Sequence, residues 1–448
     1  MTDTLVKKLR FSLRLAWALL GKYYPLLGIG IILGSLTFFV LPYLKKVVPQ
    51  WRDTQNIAVV GRYTSSEIPL FIQSQISQGL TTLDPSGLPQ PAIAQSWSVS
   101  EDGRTYTFLL DPHVTWQDGT PLKARDINYQ FRDTTTDYVS DTQLVMKLKD
   151  PYAPLPVVMS RPVFKKALVG TGSYKVKSVA RNGSLIDSLK LVPTNRNNHQ
   201  PNLIYHFYAT ESAARLAFEL GKVRSIVDVQ DVGDLGNWPN TQVAPQSHPE
   251  RYVAVFFNAR DKNFGGSAGR DLRLALAYAI DKRHWAERIF GPLNPNSWAY
   301  TTDLKKYDLD LAKSKQLLTK VDHVPSEIVL STVPAYLAVA ESVKSDWEKL
   351  GLKVNIIVAA EPTPDFQALV FAQAIPVDPD QYNLWHSTQA TNLTGIDNPR
   401  IDKLLEDGRK TSDLSARKKI YQDFQKYLVD EAPVVFLFHP QSYTISRD

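Results

Sequence analysis

The chain has 448 residues, with 51 Lys and Arg, 45 Asp and Glu, and no Cys. Its net charge of +6 resides entirely in residues 1–46, where the basic residues face only Asp3, so the rest of the chain is neutral. A neutral body argues against nucleic-acid binding, which needs clustered Lys and Arg. The absence of Cys excludes disulfides, thiol catalysis, Cys-ligated zinc and a cysteine-linked lipid anchor. A body of about 400 residues exceeds one typical hydrophobic core, which predicts two lobes.

The first predicted element is a transmembrane helix over residues 23–44. This run has no charged residue and lies between Lys22 and Lys45. As a helix it would span ~33 Å, enough for a bilayer core of ~30 Å. A cleaved signal peptide is the alternative, but it would have a shorter apolar core and a following A-x-A-like site, which the sequence lacks. The basic residues of 1–22 predict a cytoplasmic N-terminus and an extracytoplasmic body, joined to the helix by a linker at 45–56.

Beyond the linker, patterns typical of strands and helices alternate. Apolar residues at helical spacing predict helices around 272–280, 339–350, 401–405 and 420–428. Apolar or β-branched runs predict strands at Ile57–Gly61, Thr105–Leu110, Tyr252–Phe257, Ile328–Val333, Val354–Val358 and Val434–Phe438. Two of these strands and the helix between them, over 328–358, form a predicted βαβ unit with a right-handed crossover. The alternation as a whole predicts an α/β fold.

Signals for catalysis or metal binding are weak. The sequence has no G-x-S-x-G, P-loop or H-E-x-x-H motif, and its His residues never fall at i, i+4. We therefore predict no catalytic residue, no metal site and no cofactor.

Asp378-Pro379-Asp380 offers two close carboxylates, which suit acid–base chemistry or a cation site. The interpretation we favour is a helix cap, because Asp followed by Pro is a common helix entry. A surface hydrolase using Asp378 and Asp380 is a further alternative, although neither has an obvious nucleophile or base partner.

Six stretches follow one another in an ordered pattern between about residues 57 and 440. They are GLTTLDPSGLPQPAIAQSW at 79–97, VSEDGRTYTFLL at 99–110, VTWQDGTPLKARDI at 114–127, GTGSY at 170–174, DLRLALAYAIDK at 271–282 and DPDQY at 378–382. In order and spacing they resemble the extracytoplasmic solute-binding proteins of the dipeptide, oligopeptide and nickel class, family 5, which serve ABC importers. Several positions also have a local explanation, because Asp102-Gly103 and Asp118-Gly119 are turn signals.

The resemblance implies an α/β fold with a two-lobe clamp, periplasmic-binding-protein-like type II, preceded here by the transmembrane helix. The first lobe would comprise 57–248 plus 432–448 and the second 249–431, with the ligand in the cleft between them. The implied function is that of a membrane-anchored solute-binding protein that passes a peptide-like solute to an ABC permease, and not that of an enzyme. A ligand sensor on the same clamp, without a role in transport, is the alternative.

The chain departs from the family's pattern in two ways. The stretch 131–169 is short where many members carry an extra subdomain, which suggests a smaller or more open cleft wall. Many peptide-binding members also place an Asp three residues before the D/E-P pair, where it holds the peptide's ammonium group, with a Trp nearby. Here these positions are Ile375 and Ala372. Because burying an unpaired ammonium costs several kcal/mol, the expected solute is peptide-like but need not present a free N-terminus.

The candidate ligand-binding residues are those that the resemblance places at the cleft. They are Tyr63, Asn258, Gln373, Ile375, Asp378, Tyr382 and Trp385. We expect Tyr382 and Trp385 to stack on or pack against an apolar group of the ligand. Core packing is the alternative for each candidate, and Tyr382 and Trp385 fall at i, i+3 on one predicted helix face. Asn258 ends an apolar strand, so a structural hydrogen bond is a further alternative for this residue.

Overall fold

The structure is a computed structural model that describes residues 17, 21–23, 34–36, 54–195 and 200–447. One compact unit spans 55–198 and 203–448, and the elements below belong to it apart from the terminal residues Thr54 and Asn202. The other unit spans 1–54 and 199–202, and residues 17, 21–23 and 34–36 within it are helical. The predicted span at 23–44 otherwise lies outside the described residues. None of the helices in the described part of the chain is both long and apolar enough to cross a membrane.

A mixed seven-stranded sheet with the order β12-β18-β11-β1-β10-β9-β8 forms what we call the first lobe. Its strands are β1 (Thr54–Val60), β8 (Tyr174–Asn182), β9 (Leu185–Pro193), β10 (Asn202–Tyr208), β11 (Ser225–Val229), β12 (Thr241–Ser247) and β18 (Gln441–Arg447). Neighbouring Ala58 and Val59 of β1 belong to two different hydrophobic cores. Successive side chains of a strand point to opposite faces, so the sheet is covered on both. Helix α1 (Leu70–Ile76) packs in one core and α3 (Glu211–Glu219) in the other.

A small subdomain at residues 81–169 follows the first strand of this lobe. Its strands are β2 (Thr81–Leu83), β3 (Pro89–Pro91), β4 (Ala94–Val99), β5 (Thr105–Leu110), β6 (Thr134–Ser140) and β7 (Gln143–Leu148). They form a two-stranded sheet and a four-stranded sheet of order β4-β5-β7-β6, and α2 (Leu155–Val158) closes the subdomain. The predicted turn between β4 and β5 is present, with Gly103 at a φ of 69°, a conformation that glycine adopts without steric cost.

A five-stranded sheet with the order β15-β14-β16-β13-β17 forms the second lobe. Its strands are β13 (Arg251–Phe257), β14 (Glu327–Thr332), β15 (Lys353–Val358), β16 (Ala368–Ala374) and β17 (Val434–Phe438). Its helices are α4 (Gly266–Ala279), α5 (Leu311–Leu318), α6 (Leu337–Glu348), α7 (Tyr382–Trp385), α8 (Pro399–Lys410) and α9 (Leu414–Glu431). β14, α6 and β15 form the predicted βαβ unit with parallel strands. Short 3₁₀ turns lie at Ala124–Asp126, Lys166–Leu168, Gly233–Asn237 and Pro334–Tyr336.

The chain passes between the two large sheets twice. It leaves the first lobe between β12 and β13, at residues 248–250, and returns between β17 and β18, at 439–440. The strand at 434–438, which the sequence assigned to the first lobe, pairs with β13 in the second lobe instead. Its five apolar residues fit a strand buried inside a sheet, and only β18 joins the first lobe. The predicted division of the chain into 57–248 plus 432–448 and 249–431 otherwise stays a prediction.

Candidate functional site

The Asp378-Pro379-Asp380 segment lies in the loop between β16 and α7, and its first carboxylate is buried. Asp378 is 6% exposed and forms a bidentate ion pair with Arg417 of α9, at 2.9 Å from Nη1 to Oδ2 and 2.5 Å from Nη2 to Oδ1. Helix α7 begins at Tyr382 with Gln381 as its N-cap. The predicted role of Asp378 as a helix cap is therefore wrong, because its carboxylate pairs with Arg417, 39 positions away, and its local hydrogen bond is from the backbone N–H of Asp380 in the loop, at 2.9 Å.

The Arg417 guanidinium is fixed on several sides. Its Nε donates to the carbonyl of Gly408 at 2.7 Å, and its Cζ lies 5.5 Å from the ring centre of Trp298. Burial lowers the pKa of Arg417 while Asp378 raises it, and the net shift is upward. Arg417 therefore keeps its positive charge, which the Asp378 carboxylate faces at hydrogen-bond distance.

The second carboxylate of the segment, Asp380, is also buried and paired. Its side chain is 5% exposed and lies 2.9 Å from the guanidinium of Arg409. Burial raises the pKa of Asp380, and Arg409 opposes that shift. Arg409 also stacks over Tyr382 at 4.1 Å and faces Tyr152 of the small subdomain at 5.5 Å. Both carboxylates thus have arginine partners, so neither is available as a general base or a cation ligand without breaking an ion pair.

A cavity of about 350 Å³ lies between the small subdomain and the second lobe, with the Asp378–Arg417 pair in its wall. Its lining from the small subdomain includes Gln90, Trp97, Val99 and Tyr106, and its lining from the second lobe includes Trp298, Asp378, Leu414 and Arg417. The wall is thus mainly aromatic and aliphatic, with one internally neutralised charge pair. Such a site suits an uncharged apolar or aromatic group.

Backbone contacts between the small subdomain and the second lobe surround this cavity. The Trp298 N–H donates to the carbonyl of Ser86 at 3.1 Å, and the Ala153 N–H donates to that of Arg409 at 2.8 Å. Gly87 packs so closely on Val377 that an added Cβ would lie 3.1 Å from its carbonyl oxygen. The small subdomain and the second lobe are therefore in contact in this conformation.

The predicted site residues are not gathered in one place. Of the seven, Asp378 lines this cavity. Asn258 lines a second cavity, of about 600 Å³, within the second lobe, where its amide donates to the carbonyl of Phe366 at 2.8 Å. Tyr63 lies in the first lobe, where its hydroxyl donates to the carbonyl of Val60 at 3.0 Å and its ring packs on Phe207.

The other four candidates lie along β16 and α7 in the second lobe. Ile375 and Trp385 are 5% and 2% exposed and belong to the large hydrophobic core of that lobe. The ring of Tyr382 stacks on His386 at 4.1 Å, and the amide of Gln373 donates to the carbonyl of Ala374 at 3.3 Å. Core packing therefore accounts for Ile375 and Trp385, while Gln373 and Tyr382 are partly exposed.

Several residues of the cavity were not among the candidates. Trp97 lies in the stretch 79–97, which carried the resemblance, so it had a sequence signal that was not assigned to the site. Arg417 lies outside the six stretches. Trp298 had no sequence signal, because it lies in an irregular segment between helices.

Among the residues described here, no three His, Asp or Glu side chains are grouped so as to hold a metal ion.

Comparison with known proteins identifies the class. Residues 89–394 match the profile of the bacterial extracellular solute-binding proteins, family 5 Middle. The probable D,D-dipeptide-binding periplasmic protein DdpA of Escherichia coli is 24% identical, over 77% of this chain and 78% of its own length. Two solved structures share the fold. NikZ of Campylobacter jejuni in complex with Ni(L-His) has a TM-score of 0.71 and 21% identity, with 89% of this chain and 94% of that chain covered. AppA of Bacillus subtilis in complex with a nonapeptide has a TM-score of 0.66 and 19% identity, with 89% and 95% covered.

The chain therefore belongs to the bacterial extracellular solute-binding proteins of family 5, and the predicted resemblance is confirmed. The α/β two-lobe fold of that class is confirmed by the solved structures. Members of this family are binding proteins and not enzymes, so the hydrolase alternative built on Asp378 and Asp380 is excluded.

Proposed function

We propose that this protein is a membrane-anchored receptor that captures a peptide-like solute between its lobes and delivers it to an ABC importer. The observation that carries the choice of solute is the cavity of about 350 Å³ beside Trp298. The two charged side chains in its wall, Asp378 and Arg417, pair with each other. A charged group of a ligand would lose its hydration there without gaining an opposite charge, whereas an amide-linked apolar or aromatic side chain loses little and gains contact area.

The relatives divide into two ligand classes. DdpA is named for a D,D-dipeptide and AppA was solved with a nonapeptide, whereas NikZ was solved with a nickel–histidine complex. We favour the peptide class because the cavity walls are apolar and aromatic. We further propose that the solute need not carry a free ammonium group, because Ile375 stands where many peptide-binding members have an Asp. Of the seven predicted contacts, Asp378 lies at the cavity beside Arg417, and Tyr63, Asn258, Gln373 and Tyr382 stay proposed contacts elsewhere. Ile375 and Trp385 pack in the core, so their proposed influence on the ligand is through the shape of the site.

The proposal is tested by identifying what the protein carries. The full chain would be extracted in mild detergent, purified and denatured, and the released small molecules would be identified by mass spectrometry. Adding them back to emptied protein should raise the melting temperature, because a ligand at 100 times its Kd adds ~2.7 kcal/mol to stability. Release of peptides that stabilise the protein is the expected result.

Matched probes separate the ligand classes. A set of short peptides would be offered in pairs, each with a free N-terminus and with an acetylated one, beside Ni(L-His). We expect acetylated peptides to stabilise the protein at least as well as their free counterparts. Stabilisation by Ni(L-His) alone would keep the solute-binding function and contradict the peptide assignment. A strict requirement for the free amine would contradict the role given to Ile375.

The anchor is tested separately by fractionation. The apolar run at 23–44 supports a single-pass anchor with residues 1–22 in the cytoplasm. We expect the full chain to stay in the membrane fraction after alkaline extraction, and its body to be digested by protease added outside intact spheroplasts. A variant that lacks residues 1–46 should leave the membrane fraction, and retention of that variant would contradict the proposed anchor.

A further inference from the structure

The two segments that join the lobes each carry a histidine. His248 lies in the segment 248–250, between β12 and β13, and His439 lies in the segment 439–440, between β17 and β18. The segments are in direct contact, because the backbone N–H of His248 donates to the backbone carbonyl of Pro440 at 3.0 Å. Any change in the angle between the lobes must bend this pair of segments.

In its neutral form the His439 ring bonds the second segment to Arg251, the first residue of β13. It is 5% exposed, and its Nδ1 lies 2.6 Å from the carbonyl oxygen of Arg251. Because a carbonyl only accepts, Nδ1 must carry the hydrogen. In a neutral ring Nε2 then has no hydrogen, and this buried atom has no hydrogen-bond partner among the described residues. Protonation would place a charged N–H at Nε2 with no acceptor, which is costly in a buried site.

The charged groups around His439 do not reverse this preference. The backbone carbonyl of Glu287 accepts the backbone N–H of His439 at 3.1 Å. The Glu287 carboxylate accepts hydrogen bonds from the side chains of Gln441 and Ser247 instead. The carboxylate of Glu250 is bonded to His248 at 2.8 Å. On the cationic side, Arg288 pairs with Asp308 at 2.7 Å, and the Arg251 side chain is exposed. Burial lowers the pKa of His439, although the hydrogen bond to the backbone carbonyl of Arg251 and the negative charges of Glu287 and Glu250 oppose this shift.

His248 positions the first segment on the first lobe. Its Nε2 lies 2.6 Å from the hydroxyl of Ser442 in β18 and 3.3 Å from the carboxylate of Asp228 at the end of β11. Asp228 has a φ of 60°, a left-handed conformation that is uncommon for a residue with a side chain. Polar contacts of His248 thus join this segment to the first lobe. In the neighbouring segment, Nε2 of His439 is buried without a hydrogen-bond partner among the described residues.

We propose that these two segments form a pH-sensitive hinge, in which protonation of His439 favours separation of the lobes and weakens solute retention in acid. When the lobes separate and the hinge bends, water can reach Nε2 and solvate the imidazolium. The closed conformation is then fully stable above the ordinary imidazole pKa of about 6.5 and loses stability as the pH falls below it. The proposal rests on the two-lobe clamp of the proposed function, but its test needs neither a ligand nor a permease.

Because the chain has no Cys, two introduced cysteines can be spin-labelled without labelling any native residue. Lys177 of β8 and Lys320 beyond α5 are exposed and lie on different lobes. The full-length chain with K177C and K320C would be spin-labelled in detergent micelles, and the distance between labels measured by pulsed electron resonance at pH 7.5 and pH 5.5. We expect the population with the shorter distance to fall at pH 5.5. In His439→Asn, whose amide keeps the donor to Arg251 but does not titrate, the two pH values should give the same distribution.

Controls make the assignment specific. His113 is exposed in the small subdomain, and His113→Asn should respond to pH as the unmodified protein does. His439→Gln provides a second non-titrating amide in case the Asn variant fails to fold. An unchanged distance distribution between pH 7.5 and 5.5 in the protein with native histidines would overturn the proposal. So would a full response in both His439 variants, or its loss in His248→Asn alone, whereas failure to find a ligand would affect only the proposed function.

Discussion

At the scale of single residues, the Asp378–Arg417 pair shows how a short motif acquires its role. Both side chains are nearly inaccessible to water, so each ion would be strongly unfavourable without the other. The pair also forms part of the cavity wall. A surface pair such as Lys123–Asp141, whose side chains are 46% and 52% exposed, is instead solvated on both sides. The two pairs have similar distances but very different consequences for stability.

Replacing Asp378 by Asn should therefore destabilise the protein strongly. The substitution leaves the Arg417 charge buried without its partner, and we expect the free energy of unfolding to fall by about 3–5 kcal/mol. The matched variant Asp141→Asn should cost less than ~1 kcal/mol, because Lys123 remains solvated. Guanidinium denaturation of the two variants would measure both changes. Equal losses would contradict the assignment of Asp378 as a buried ion-pair partner.

At the scale of elements, helices α8 and α9 approach each other through a glycine. A Cβ built on Gly408 of α8 would lie 2.7 Å from Cζ of Tyr421 in α9, a contact too short for real atoms. Tyr421 is fully buried and its hydroxyl lies 3.4 Å from Arg417, so the ring has little room to move. The close approach of these helices places Arg417 opposite Asp378.

Replacing Gly408 by Ala tests this close approach. Ala has the higher helix propensity by about 1 kcal/mol, so a stabilising effect would be expected if the site were open. Because the new methyl group would collide with Tyr421, we expect a net loss of about 1–3 kcal/mol in the free energy of unfolding. Lys419→Ala, on the exposed side of α9, serves as the control and should change stability by less than ~0.5 kcal/mol. Thermal denaturation of the two variants would decide, and a stabilised Gly408→Ala would refute the packing argument.

At the scale of the whole molecule, two glycines of the small subdomain separate the effect of lobe contact from that of backbone strain. Gly87 and Gly119 have nearly the same φ, 86° and 85°. A Cβ on Gly87 would press on Val377 of the second lobe, whereas a Cβ on Gly119 would meet nothing within 4 Å. Substitution by Ala imposes similar left-handed strain at both positions.

We expect Gly87→Ala to favour the open clamp, whereas Gly119→Ala should not. The added methyl group at 87 works against the contact between the small subdomain and the second lobe. The label distance between the lobes at pH 7.5 should therefore increase, and the affinity for whatever solute the protein carries should fall. Gly119→Ala should keep the unmodified distance while losing comparable stability through strain. The same distance distribution in both variants would show that the Gly87 contact does not hold the lobes together.

The sequence by itself determined the local structure of this protein. The strand at Tyr252–Phe257, the βαβ unit predicted over 328–358 and the turn at Gly103 are present, because periodicity and turn chemistry act over a few residues. The ordered motifs also identified the family, since most of them specify turns and strand ends of the shared scaffold. The predicted anchor at 23–44 depends likewise on a local apolar run, and it stays a prediction.

Only the tertiary structure decided which residues meet. It paired Asp378 with Arg417 and not with its own helix, placed Val434–Phe438 beside β13, and buried Ile375 and Trp385 in the core. It also assembled a cavity from Trp97, Trp298 and Arg417, which are far apart in the chain. The physical reason is that long-range packing sets the burial and the partners of a side chain. The pattern of its neighbours in sequence contains little information about that packing.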